Sequence, residues 1–296
     1  MDDFAPASPP RAAAPAPDAP AGASGSGSDG WAPWTAFAAL VGAIVVAAVG
    51  GVIVDVPAVA FGVRITSAHI PPGIVNLDTV VQDLGFIVTA VFFARLGGRA
   101  VTASDFGLRP TRLPRAVGLI VLTYVAFFAF AIAWGAIAEA PKEELLKQLG
   151  TEKNAALLIA SAVLTCVIAP VSEEFLFRGY IFAALRNWHG TLPAAIITGV
   201  LFGGVHATSA PAVDLVPLAF LGFALCLLYQ RTGSLYPGIA VHAVNNSVAF
   251  AQLEEWQWWA YPLLIVASLA VIGSVAVALT RARILGSEPA PVGAHG

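Results

Sequence analysis

The stretch Ser172-Glu173-Glu174-Phe175-Leu176-Phe177-Arg178-Gly179 decides how this chain is read. It follows seventeen uncharged residues, Ala155 to Val171, inside an apolar segment that runs from about Ala155 to Leu185. Two adjacent carboxylates and an arginine are costly in hydrocarbon. When they occur there they face the interior of a bundle and mark function. Glu174 and Arg178 are four residues apart, share a helix face and can pair. Glu173 points about 100° away, since a helix turns once per 3.6 residues. A buried structural ion pair accounts for one carboxylate and one arginine and leaves the second carboxylate unbalanced. Glu173 is therefore the group free for chemistry.

The surroundings are those of a membrane protein. The chain has 296 residues, of which 58% are hydrophobic and 11% charged, with a mean hydropathy of +0.80. Soluble domains carry about 25% charged residues. A net charge of -3, with no basic stretch interleaved with aromatics, gives no nucleic-acid signal. Cys166 and Cys226 lie in apolar runs and read as buried, inert thiols rather than a disulfide framework. Residues 1–30 are rich in Ala, Pro, Gly and Ser, cannot bury enough apolar surface to offset chain entropy, and read as a disordered cytoplasmic tail. They lack the basic start and apolar core of a signal peptide. Twelve arginines against three lysines, with abundant alanine, point to a bacterial source.

A spanning helix needs about 20 mostly apolar residues. Eight segments approach this: about 34–56, 75–93, 116–137, 155–185, 192–207, 215–229, 238–251 and 261–279. The fifth and seventh are short. The expected fold is an all-α polytopic membrane bundle of about eight transmembrane helices over residues 31–283. Its catalytic core is expected at 155–252, in the C-terminal half, with a short tail at 284–296. With the N-terminus inside, ten basic residues fall in inner loops or tails (Arg11, Arg95, Arg99, Arg109, Arg112, Arg115, Arg186, Arg231, Arg281, Arg283). Four fall outside: Arg64, Lys142, Lys147 and Lys153. The positive-inside rule thus puts both termini in the cytoplasm of a multi-pass cell-membrane protein.

Within the spans, the other strongly polar residues are Asp78, Asp83, His206, His242, Asn245, Asn246 and Gln252. Folding the fourth and fifth segments as a hairpin about Trp188-His189-Gly190 puts Glu173 sixteen residues before His189 and His206 seventeen after it. At about 1.5 Å per residue both lie roughly 25 Å from the turn, at one depth. Histidine suits proton transfer near neutral pH. A lone histidine on an apolar face is commonly a satisfied core residue, but one level with a buried glutamate has a partner. His242 and Asn246 share a face of the seventh segment and can donate to a developing oxyanion. Their bland alternative is an interhelical clamp, the reading preferred for Asn245. Straight-helix counting from Gly233 leaves His242 roughly 10 Å nearer the cytoplasm than Glu173. The site closes only if Pro237-Gly238 begins its helix deep, in a recessed loop. Pro170 should kink the fourth segment, with Ser172 capping a renewed helix.

Other chemistries lack their motifs. There is no His-Glu-x-x-His pair, no Gly-x-Ser-x-Gly elbow and no Gly-rich phosphate loop. The residues describe a membrane-buried hydrolase acting on a membrane-borne chain. Two rivals are a non-catalytic immunity or scaffold protein and a solute or proton transporter; against the latter, the hydropathy pattern shows no inverted repeat.

Together, Glu173-Glu174-Phe175-Leu176-Phe177-Arg178, Phe202-Gly203-Gly204-Val205-His206 and His242-Ala243-Val244-Asn245-Asn246 resemble the CPBP family, the CAAX proteases and bacteriocin-processing enzymes also called Abi. The motifs are Glu-Glu-x-x-x-Arg, Phe-x-x-x-His and His-x-x-x-Asn on successive core helices, and the match covers about residues 155–252. The resemblance implies an intramembrane endopeptidase that meets membrane lipid and a membrane-associated protein or peptide substrate. It implies that Glu173 and His206 activate water, that His242 and Asn246 stabilise the oxyanion, and that Glu174 and Arg178 support the site. The family has also been described as metal-dependent. Glu173, His206 and His242 make a plausible zinc set, so zinc stands as the alternative to a metal-free glutamate mechanism.

Overall fold

The computed structural model describes residues 30–66, 70–138 and 154–286, with backbone alone for 282–286. The tail expected at 1–30, but for Gly30, and the last ten residues lie outside these. So does the loop carrying Lys142, Lys147 and Lys153.

The described residues form eight helices and no strand. They are α1 (Pro33–Ala60), α2 (Pro72–Ala94), α3 (Leu113–Gly135), α4 (Ala155–His189), α5 (Thr191–Val205), α6 (Leu215–Thr232), α7 (Tyr236–Leu253) and α8 (Ala260–Gly286). Seven are long and apolar enough to cross a membrane. The exception is α7, whose apolar run is diluted by His242, Asn245, Asn246 and Gln252. The fold is thus the expected all-α polytopic bundle. Local signals set the helix starts. Proline stands in the first two positions of α1, α2, α3 and α7, where its missing N–H has no helical partner to lose. Asn154 caps α4 by accepting from the backbone N–H groups of Ala156 and Leu157 at 3.0 and 3.3 Å. Gly190 (φ +79°) and Gly233 (φ +64°) make the tight α4–α5 and α6–α7 turns that few other residues tolerate.

Pro170 does not break α4. The helix runs for 35 residues and instead widens to π-helical register at Leu164–Ile168 and again at Phe175–Phe182. One α-helical stretch between them, Ala169–Glu174, has Pro170 at its start and carries both glutamates. Such π segments absorb a broken backbone ladder and commonly sit at functional sites. Ser172 is not a cap: its hydroxyl bonds to Asp83 Oδ1 at 2.6 Å and lies 3.0 Å from the Ala169 carbonyl. From Leu176 to Leu185, α4 is enclosed on every side.

Two further features position the site. α5 and α6 approach closely because Gly199, Gly203 and Gly222 lie between them. A Cβ on Gly203 would come within 2.6 Å of the Leu215 carbonyl oxygen, and one on Gly199 within 2.6 Å of that of Ala219. The α2–α3 connection docks against α4 and the α6–α7 turn. Phe106 stacks on Phe175 at 4.3 Å between centroids. The Gly107 carbonyl accepts from Leu235 N–H at 2.8 Å, the Ser234 hydroxyl donates to the Arg109 carbonyl at 2.6 Å, and Arg109 Nε donates to the Gly233 carbonyl at 2.6 Å. Ser234, Leu235, Pro237, Gly238 and Ile239 are consequently buried. α7 starts deep, inside protein, as the recessed-loop expectation required.

Candidate active site

Four helices supply the site: Glu173, Glu174 and Arg178 from α4, His206 from the end of α5, His242 and Asn246 from α7, and Asp83 from α2. Arg178 Nη1 bonds to Glu174 Oε1 at 2.8 Å, and Nη2 donates to the Gly222 carbonyl at 3.0 Å. The guanidinium also lies over the Phe202 ring at 4.4 Å, a favourable contact for a desolvated cation. The expected pair is there. Glu174 does more than pair with arginine, however, since the same Oε1 accepts from His242 Nδ1 at 3.0 Å. Gly238 makes room for this carboxylate, because a Cβ there would meet Glu174 Oε2 at 2.9 Å.

Glu173 faces both histidines. Its Oε2 is 3.9 Å from His206 Nε2 and 3.7 Å from His242 Nε2, and makes no hydrogen bond among the described residues. The 10 Å depth mismatch of straight-helix counting is absent, because α7 begins deep. Each imidazole is fixed through its other nitrogen. His206 Nδ1 is 2.7 Å from the Phe202 carbonyl, and His242 Nδ1 meets the Glu174 carboxylate. A carbonyl and an ionised carboxylate oxygen accept, so both Nδ1 atoms carry hydrogen and each ring turns its Nε2 toward Glu173. This explains the Phe-x-x-x-His spacing: the Phe202 carbonyl orients the ring one turn on, while its side chain packs against His242 (5.5 Å between centroids) and Arg178.

Asn246 stands one turn beyond His242, its amide donating to the Thr165 carbonyl at 3.0 Å, and Asn245 Nδ2 braces Asn246 Oδ1 at 3.4 Å. The bond of Asn245 stays within α7, and the interhelical clamp expected of it is made by Asn246. Gln252 is exposed and away from the cluster. Asp78 lies against Gly51 of α1 and not at the site. Of the two aspartates that the sequence leaves unplaced, Asp83 is the one at the site. It is buried, tied to Ser172 next to Glu173, and its Oδ2 has no hydrogen-bond partner among the described residues. Its signal was a carboxylate inside an apolar span. Among the described residues no three His, Cys, Asp or Glu side chains are gathered as a metal cage. The donor types at Glu173, His206 and His242 are still those zinc takes, with Nδ1 of each imidazole held by an acceptor as in zinc–histidine sites.

Residues 155–248 match the family described as type II CAAX prenyl endopeptidase Rce1-like. The matched stretch is similar to that family over about a third of the chain. That stretch holds all six expected site residues. The chain is also similar to "Putative membrane peptidase YdiL" of Bacillus subtilis (strain 168), with 33% identity over 93 residues, 31% of this chain and 37% of the relative. An "Uncharacterized 24.3 kDa protein" of Escherichia coli is 27% identical over 141 residues, 46% of this chain and 61% of its own. "UPF0177 protein YxdF" of Lactococcus lactis subsp. lactis (strain IL1403) is 25% identical over 128 residues, 41% and 70%. The chain thus spans 37% and 61% of the first two relatives' lengths. No solved structure matches it. With seven helices long and apolar enough to span, three of them inside the matched stretch, this is a multi-pass membrane protein.

Proposed function

We propose that the protein is an intramembrane endopeptidase that hydrolyses peptide bonds in a membrane-associated protein or peptide. The observation that carries this reading is the meeting of Glu173 Oε2 with two imidazole Nε2 atoms at 3.7 and 3.9 Å. Those separations exceed a direct hydrogen bond and suit groups that share a small third party, here the attacking water. Glu173 takes the water's proton as it adds to the scissile carbonyl, and His206 relays that proton to the leaving amine. His242, whose Nδ1–H goes to Glu174, would present Nε2 to the oxyanion and donate to it when that nitrogen carries a proton. Asn246, whose amide has a second N–H beyond the one given to Thr165, is the other donor. Glu174 and Arg178 hold this arrangement, with Arg178 offsetting the charge of Glu174. The family and the name of the Bacillus subtilis relative support a protease.

The convergence of two imidazole Nε2 atoms on the Glu173 carboxylate favours one second reading, in which Glu173, His206 and His242 hold zinc. The metal would then supply Lewis acidity to the scissile carbonyl or to bound water. Peptidomics of membranes from cells expressing the wild type, Glu173→Ala or His206→Ala tests the enzyme. Fragments present in the wild type and missing in both variants are expected; unchanged peptides in well-folded variants would leave the immunity or scaffold account. Stoichiometric zinc in purified protein, with activity lost to chelator and restored by metal, would replace the metal-free mechanism with the zinc one.

A further inference from the structure

The cluster is not enclosed symmetrically. Side-chain exposure is 23% at His206 and 11% at Glu173, against 2% at His242, 1% at Glu174 and 0% at Arg178. Three helices agree on the direction of this gradient. Along α4 it rises from Arg178 toward Ala155, in the last turn of α5 it rises from buried Phe202 to half-buried His206 and exposed Ala207, and along α7 it rises from His242 to the half-buried Asn245 and Asn246. Those ends, the N-terminus of α4 and the C-termini of α5 and α7, lie on one side of the bundle. The contacts between helix ends sort the same way. Asn76 bonds to the Leu157 carbonyl, and Trp134 to that of Val213, on this side; Trp31 bonds to that of Ala94, and Arg186 to Gln230, on the other.

The opposite side is shut. Between the cluster and that face lie Phe106 on Phe175, the Leu235–Gly107 and Ser234–Arg109 hydrogen bonds, and the fully enclosed stretch of α4. That shut side is the basic one, carrying Arg95, Arg99, Arg109, Arg112, Arg115, Arg186 and Arg231. By the positive-inside rule it is cytoplasmic. The open side carries the Trp256, Trp258 and Trp259 group that suits a membrane interface. α5 has 15 residues, about 22 Å of helix against a hydrocarbon core of about 30 Å. With Gly190 set at the inner boundary, a helix of that length ends short of the outer one, which leaves His206 below the outer boundary. On the same open side an apolar groove of about 250 Å³ separates α4 from α8, lined by Leu158, Val163, Val167, Trp256, Leu264 and Val271.

We propose that the Glu173 site is loaded from the extracytoplasmic side and takes a peptide segment presented at the outer leaflet. This rests on the endopeptidase reading above and narrows its substrate class. The test has two arms. Ala207→Cys, in the exposed α5–α6 connection, and Ala100→Cys, in the docked α2–α3 connection, are made in the wild-type background, whose two cysteines are both buried. A membrane-impermeant maleimide should label Ala207→Cys in right-side-out membranes and Ala100→Cys only in inverted vesicles. The reverse pattern overturns the proposal. In the second arm, the cleavage points of fragments that vanish with Glu173→Ala should map to extracytoplasmic segments of membrane proteins. Cleavage points in cytoplasmic segments overturn the access direction while leaving the protease intact. If no fragment depends on Glu173 the protease reading falls, and the labelling pattern still decides which way the site opens.

Discussion

Removing Arg178 tests the electrostatics of the core without any knowledge of substrate. In Arg178→Met the apolar volume is largely kept, but Glu174 loses a 2.8 Å ion pair and the Gly222 carbonyl a 3.0 Å donor. The Phe202 face also loses its cation at 4.4 Å. Leaving one member of a buried pair uncompensated costs about 3–5 kcal/mol, and the cation–π contact adds about 1–2 kcal/mol when desolvated. His242 still meets Glu174 Oε1, which places the expected loss toward the lower end, at about 3–4 kcal/mol. Glu174→Gln/Arg178→Met removes both charges and should be less destabilised than Arg178→Met alone, with a coupling energy of about 2 kcal/mol in the double-mutant cycle. The assay is reversible unfolding in mixed detergent micelles, followed by tryptophan fluorescence. A loss below about 1 kcal/mol for the single variant, or additivity within about 0.5 kcal/mol, would refute the picture of a buried, mutually dependent pair.

The close α5–α6 approach gives a matched comparison. Gly203→Ala should destabilise by about 1–3 kcal/mol through overpacking against Leu215 and Ala219. Gly204→Ala, whose Cβ would meet nothing within 4 Å, should be neutral or gain up to about 1 kcal/mol of helix propensity; thermal unfolding distinguishes the two. Ser172→Ala deprives buried Asp83 of its 2.6 Å donor and should cost about 1–3 kcal/mol. Ser172→Thr keeps the hydroxyl and, where the extra methyl fits, should recover most of that loss in the same assay.

Much of this architecture is legible in the sequence, for physical reasons that also mark where reading stops. Helix positions follow from apolar run length, with proline and asparagine marking starts and Gly190 and Gly233 marking turns. Glu173 and His206 can be levelled by counting because a tight turn joins two nearly continuous helices. Glu174 and Arg178 follow from a four-residue spacing. The closing of His242 onto both glutamates does not follow from spacing. It depends on how deep α7 begins, and that depth is fixed by a loop more than a hundred residues earlier, through Gly107 and Arg109. Ser172 offers a cap to local reading, yet its partner is Asp83 on another helix. The π register around Pro170 leaves no compositional trace, since it is set by how the backbone ladder repairs itself within a packed bundle.

The central claim is that the Glu173 carboxylate activates the attacking water. Glu173→Gln tests it most directly, because it keeps the side chain's size and removes the base. Released fragments are quantified by mass spectrometry from membranes holding equal amounts of folded wild-type or variant protein. The account predicts that Glu173→Gln abolishes the fragments that the wild type releases while unfolding at a similar temperature. Fragment release at the wild-type rate by the folded variant would contradict it.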